Sequence, residues 1–256
     1  SYLNGVHERR TLPYVEAGYG YPESGQVVKN VTNGKLIRLL VDDEPFDVTY
    51  GRLDAHEWCL DFRDGVLHRR TDWASPAGCA IRVSSTRLVS LVQRAVGAVR
   101  YQVETLDRVV RVVIQSELVA NEALPAPPPG DPRAGLPELA PLIAREHVAR
   151  GTLAGLVHTT ANSELCIAAV MEHVVDGPAT TVVTSESFPH LGRVTITAEL
   201  RPGDRLRLDK FVAYGWSGHR SLPAVRDQAD AALFAAQQTG WDGLRVAQRA
   251  FLDEFW

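Results

Sequence analysis

The sequence predicts a mainly β protein: a large antiparallel β-sandwich over residues 1–220, then a short two-helix linker over residues 221–256. Three observations predict it. Apolar and polar residues alternate up to about Tyr214, the pattern of strands with one buried face. Turn-forming residues separate the alternating runs at a spacing too short for intervening helices, which argues against βαβ units. After Ser221 the apolar period lengthens to that of a helix.

Taken in order, Asn33-Gly34 precedes the strand Leu36–Val41, and Asp42-Asp43-Glu44 reads as a hairpin turn rather than a carboxylate site. Asp64-Gly65 and Ala77-Gly78 mark turns before Ile81–Val92. Val99, Tyr101 and Val103 alternate with Arg100 and Gln102, and Val109–Glu117 follows. Leu124–Pro141 breaks the pattern. Pro125, Pro127, Pro128, Pro129, Pro132, Pro137 and Pro141 cannot donate ladder hydrogen bonds, so a loop inserted between halves of one sandwich is expected. Beyond it come Glu164–Val175, Thr180–Thr184, Arg193–Leu200 and Leu206–Val212, punctuated by Asp176-Gly177-Pro178 and Pro202-Gly203-Asp204. The sum is about thirteen strands. Pro223 suits the first turn of a helix that Gly240 ends, and Asp242-Gly243 opens a second, antiparallel one.

Composition excludes several function classes. A net charge of -4 leaves no basic surplus to neutralise phosphates, so nucleic acid is a poor partner. No apolar run approaches the roughly 18 residues of a membrane helix, and Ser1–Gly5 has no signal-peptide pattern. Cys59, Cys79 and Cys166 are odd in number and widely spaced, which reads as free thiols in a reducing compartment. The sequon Asn30-Val31-Thr32 is discounted on that ground, and a cytoplasmic location is expected.

Chemistry-bearing motifs are sparse. His7, His56, His68, His147, His158, His173, His190 and His219 form no H-x-x-x-H or HExxH pair. In Met171-Glu172-His173 the Glu and His alternate faces of a strand and cannot share a pocket. No Walker loop, GxGxxG fingerprint or GxSxG elbow occurs, and Gly18-Tyr19-Gly20-Tyr21 is too short and aromatic to cradle a phosphate. Glu186 and Asp209 read equally well as solvated strand residues. Tyr14, Tyr19, Tyr21, Trp58, Trp73, Tyr214 and Trp216 could stack on pyranose rings, although sandwich cores use such residues routinely. No catalytic, cofactor-binding or metal-ligating residue is assigned, and no cofactor is expected.

Several stretches, in order, resemble the N-terminal domain of glycoside hydrolase family 65, which includes maltose, trehalose and kojibiose phosphorylases. They are Tyr2–Arg10 with Leu12-Pro13-Tyr14, Val31–Asp47, Gln115–Asn121, Asp209–Tyr214, Trp241–Leu244 and Phe251–Trp256. The resemblance implies a galactose-mutarotase-like supersandwich, a helical linker and then a catalytic (α/α) barrel. It also implies inversion at the anomeric carbon, by inorganic phosphate as co-substrate in phosphorylases or by activated water in hydrolases. The catalytic groups would lie in the barrel, so none is carried onto this chain. The family also has strands ahead of the part matching Tyr2–Gly5, so exposed strand edges are expected.

The single Met171 and an apolar stripe through Leu244, Ala247, Phe251 and Phe255, ending on Trp256, lead to the expectation that the chain is a piece of a longer protein. The function expected is an accessory domain of an intracellular α-glucosyl disaccharide phosphorylase or hydrolase. It would support the barrel, shape the mouth of its active site or contribute to a homodimer. The alternative is a free-standing carbohydrate-binding module for an α-glucoside, which needs a concave face with two or more exposed aromatics.

Overall fold

A computed structural model describes residues 1–11, 24–122 and 140–256. Tyr14, Tyr19, Tyr21 and the proline-rich stretch up to residue 139 lie outside the described residues. The strands are β1 (His7–Thr11), β2 (Ser24–Val28), β3 (Asn33–Val41), β4 (Glu44–Pro45), β5 (Arg52–Asp61), β6 (Val66–Ala74), β7 (Ala80–Val89) and β8 (Val96–Thr105). They continue as β9 (Val110–Val119), β10 (Leu142–Arg150), β11 (Leu153–Thr160), β12 (Cys166–Asp176), β13 (Val182–Phe188), β14 (Leu191–Leu200) and β15 (Arg205–Ser217). A helical element, α1 (Leu222–Phe255), closes the chain.

Among the described residues the strands form an eight-stranded sheet, β10-β11-β12-β15-β8-β7-β6-β5, facing a five-stranded sheet, β13-β14-β9-β3-β4. β1 and β2 pair separately, and every pairing is antiparallel. The proline-rich stretch falls between β9 and β10, one in each sheet. The sequence patterns explain the layers. On β14, Val194, Ile196, Ala198 and Leu200 are buried while the residues between them are not, as the period of two requires. On β15, Leu206, Leu208 and Val212 enter the core between the sheets, whereas Phe211 and Ala213 enter a second core under α1. The outer face of the large sheet is thus covered by helix over β12, β15 and β8.

Turn chemistry pins the register. Asp42 and Asp43 adopt positive φ (47° and 68°) and join Val41 to its partner Glu44, the two-residue geometry that short polar side chains tolerate. Asp42 also accepts the Arg111 backbone N–H at 2.8 Å, and Asp43 pairs with the Arg111 guanidinium, so these carboxylates are a turn device.

Ser221 caps α1 by accepting the Ala224 N–H, with proline in the first turn. The helix breaks at Gly240 (φ 68°, ψ 169°), where the sequence placed the break. Helical geometry resumes at once beyond it, so α1 is two helices joined across a kink at Gly240. The buried side chains are Val225, Ala229, Leu233 and Ala236, then Trp241, Leu244, Gln248 and Leu252. Of the expected apolar stripe, Leu244 is buried, whereas Phe251, Phe255 and Trp256 find no burial within the chain and are exposed. The cause is Gln248, whose amide donates to Gly65 O at 2.7 Å and accepts from Leu91 N at 3.0 Å. Those bonds hold its polar side chain inward and turn Phe251, Phe255 and Trp256 outward.

Candidate functional site

Most of the candidate residues serve the fold. Trp73 is fully buried, its indole N–H donates to Tyr50 O at 2.6 Å, and Phe46 meets it edge-on at 5.3 Å. The Tyr214 hydroxyl accepts from Gly34 N at 3.1 Å and donates to Thr32 O at 3.0 Å, and burial pushes it up to about 12. Trp216 lies across Gly5, where a Cβ would meet its ring at 2.4 Å, so only glycine allows that approach. Glu186 is exposed and pairs with Arg193. Asp209 corrects the solvated reading. It is buried, and both carboxylate oxygens accept from Arg100 at 2.7 Å. Arg100 in turn sits over the Trp241 ring at 5.1 Å, tying β8 and β15 to α1.

Six of the histidines are likewise engaged. His56, His68 and His147 meet Thr71, Thr86 and Ser187 at 2.9–3.1 Å. His158 is buried against Pro189 O and stacks on His190, and burial lowers its pKa to about 4. His173 lies between Thr152 O and the Ser116 hydroxyl, and burial lowers its pKa to about 3. Beside it Lys210, fully buried, donates to Leu36 O at 3.2 Å and Glu117 O at 3.0 Å across the sandwich. Burial brings its pKa down to about 7. These groups stitch the two sheets together. Among the described residues, no group of three His, Cys, Asp or Glu side chains is placed to hold a metal ion.

Among the described candidate aromatics, Trp58 is the most exposed. Trp58 lies on β5, the edge strand of the large sheet, and is 70% exposed. Directly opposed residues on neighbouring strands share a face. The row Trp58–Arg69–Ser85–Tyr101–Leu208 therefore runs along the inner face of the large sheet, as does Leu60–Leu67–Arg87–Val99–Lys210. At the β15 end both rows are buried in the sandwich. At the β5 end the five-stranded sheet no longer covers them, and the inner face opens to solvent.

A groove of about 640 Å³ occupies this opening. Its floor is Leu60, Leu67, Arg87 and Val89, and its walls include Tyr2, Leu3, Phe62, Leu252 and Trp256. Tyr2, Phe62, Val89 and Trp256 are each more than 60% exposed, and Leu60 is nearly half exposed. Isolated apolar side chains are ordinary on a surface, but a contiguous apolar face marks a binding surface. Of its polar groups, Asp61 accepts from Arg63 N and Asp64 N and Gln248 is bonded as above, while Lys35, Arg87 and Arg94 also line it. The sequence reading missed Tyr2 and Phe62 because single aromatics beside a turn carry no periodic signal.

Comparison with known proteins agrees with this architecture. The model of the glycosyl hydrolase family 65 N-terminal domain matches residues 1–255. An uncharacterized glycosyl hydrolase of Mycobacterium tuberculosis (strain H37Rv) is 54% identical over 258 residues, covering all of this chain and 32% of that protein. The α,α-trehalose phosphorylase of Thermoanaerobacter brockii is 25% identical over 257 residues, again covering the whole chain and 33% of that protein. The solved structure of a putative kojibiose phosphorylase from the human microbiome superposes with a TM-score of 0.84 at 17% identity, over 99% of this chain and 32% of that one. This chain spans about a third of the length of these relatives. It belongs to glycosyl hydrolase family 65, as the N-terminal domain of that family.

Proposed function

We propose that this domain is the non-catalytic support of an inverting α-glucosyl disaccharide phosphorylase or hydrolase. In this reading residues 1–220 form the accessory sandwich, and residues 221–256 lead into an (α/α) barrel that carries the general acid. If the enzyme is a phosphorylase, inorganic phosphate is its co-substrate. The observation that carries the reading is the bare apolar end of α1 beside the groove, Phe255 and Trp256 at 68% and 76% exposed, in a chain spanning a third of its relatives. Burying such rings against a neighbour is worth about 1.5–3 kcal/mol each, which suits permanent contact better than solvent. The domain supplies position and shape to the barrel.

Trp58, Tyr2 and Phe62 supply the exposed aromatics that a carbohydrate-binding module needs. The test removes residues 1–220 from the longer enzyme. The expected result is an insoluble or inactive barrel. A soluble barrel of undiminished kcat/KM, with calorimetric heat from this domain on maltose, trehalose or kojibiose, would instead favour the binding module.

A further inference from the structure

On the outer face of the large sheet, between the first turns of α1 and strands β10–β12, we infer a binding site for an uncharged ring polyol of monosaccharide size. The pocket is built from residues 146–170 and 226–230, and it is separate from the accessory role proposed above.

Strand pairing sets the floor. Val148 opposes Gly155 and Gly155 opposes Val170, so these three share a face with Ala213, which lies under α1. Glu146–Val157 and Arg150–Leu153 are the rows on either side. α1 packs over β12, β15 and β8, and Arg226 and Asp230, one helical turn apart, form the opposite wall. The space between helix and strands is about 240 Å³. Gly155 keeps it open. A Cβ there would meet Val170 Cγ1 at 3.1 Å and Val148 Cγ1 at 3.2 Å, so a larger side chain at this position would occupy the floor.

Four charged side chains stand round this aliphatic floor. Arg226 Nη1 donates to Glu146 at 3.0 Å and so bridges helix and strand, and its other nitrogens hold Asp227. His147 also lines the pocket, with its ring bonded to Ser187. Asp230 and Arg150 are close enough to interact electrostatically, yet among the described residues neither has a hydrogen-bond partner. Burial raises the Asp230 carboxyl above its usual range, against the pull of Arg226 and Arg150. A partly desolvated carboxylate without a donor is stabilised by any ligand that brings one.

The lining selects the ligand class. Its volume lies just below the roughly 300–1,000 Å³ of drug-sized sites, which suits one small ring rather than two. The carboxylates of Glu146 and Asp230 balance the guanidiniums of Arg150 and Arg226, so a ligand of either net charge meets a like charge on the rim. A hydroxyl both donates and accepts. Adjacent hydroxyls can donate to Asp230 and accept from Arg150 together, while the C–H groups of the ring lie on Val148, Leu153, Val157 and Val170.

The test uses the longer enzyme with its valine methyl groups isotopically labelled and followed by NMR. Val148→Ile and Val170→Ala assign the two signals. D-glucose and myo-inositol are the probes, and L-valine and inorganic phosphate are the controls. Saturable shifts of both signals at millimolar concentration of a ring polyol are expected, with none from the controls. Asp230→Ala and Arg150→Ala are each expected to weaken that binding about tenfold, the loss of one hydrogen bond to a charged group. Gly155→Leu is expected to abolish it by filling the floor, and the two rim variants decide the matter if that chain does not fold. Signals that stay in place with both ring polyols, as they do when sugar binds only in another domain, would overturn the proposal. Shifts of undiminished affinity in the rim variants would overturn the site. Shifts from L-valine or phosphate and not from the polyols would overturn the ligand class.

Discussion

Replacing Asp209 by alanine isolates what fastens α1 to the sandwich. The carboxylate is 8% exposed and takes two guanidinium hydrogen bonds at 2.7 Å from Arg100. Removing one member of such a pair leaves the other charge buried, which costs about 3–5 kcal/mol in general. Arg100 keeps 26% of its side chain in water and lies 3.6 Å from Asp242, so its charge is partly relieved. The lower end, about 3 kcal/mol, is therefore expected. At roughly 2–4 °C per kcal/mol for a chain of this size, Tm falls by about 6–12 °C. Urea denaturation of Asp209→Ala, Arg100→Met and the double variant measures the coupling directly. The double variant should cost less than the sum of the singles by at least about 1 kcal/mol. A loss below about 1 kcal/mol for Asp209→Ala, or strict additivity, would refute the claim that this pair fastens the helix.

Two further outcomes follow from the packing. Gly215→Ala places a Cβ 2.8 Å from Val225 O and 3.4 Å from Ala229 N, both helix backbone, so α1 must lift; a loss of about 1–3 kcal/mol is expected by chemical denaturation. His173 stays neutral to about pH 3 when folded, whereas the unfolded chain takes up that proton near 6.5. The unfolded state thus binds more protons between those values, and stability falls on acidification by up to about 1.4 kcal/mol per pH unit from this group. His173→Gln should flatten that slope between pH 6.5 and 4 in denaturation curves, whatever its effect at neutral pH.

The sandwich was legible because one rule governed it. Alternation in Arg193–Leu200 and the turn at Asp42-Asp43 each encode a local constraint that the tertiary fold leaves in place. Asp209 was not legible, because its partner Arg100 is 109 residues away and the alternation of β15 marks it as outward-facing. It does face outward, but α1 covers that face. The stripe through Phe251 and Phe255 was legible as an apolar row without a partner in the chain, but which row is buried instead was not, because only the contacts of Gln248 with Gly65 and Leu91 show it. The groove needs strand order as well as pattern, since Trp58 and Arg87 share a face only once β5, β6 and β7 are adjacent.

The division of labour is tested most directly by following β-glucose 1-phosphate by NMR, with maltose, trehalose and kojibiose each offered together with inorganic phosphate. The longer enzyme should form it, or free glucose of inverted configuration if water is the acceptor. This 256-residue domain alone should form neither. Turnover by the isolated domain at a rate comparable to the whole enzyme would contradict the account.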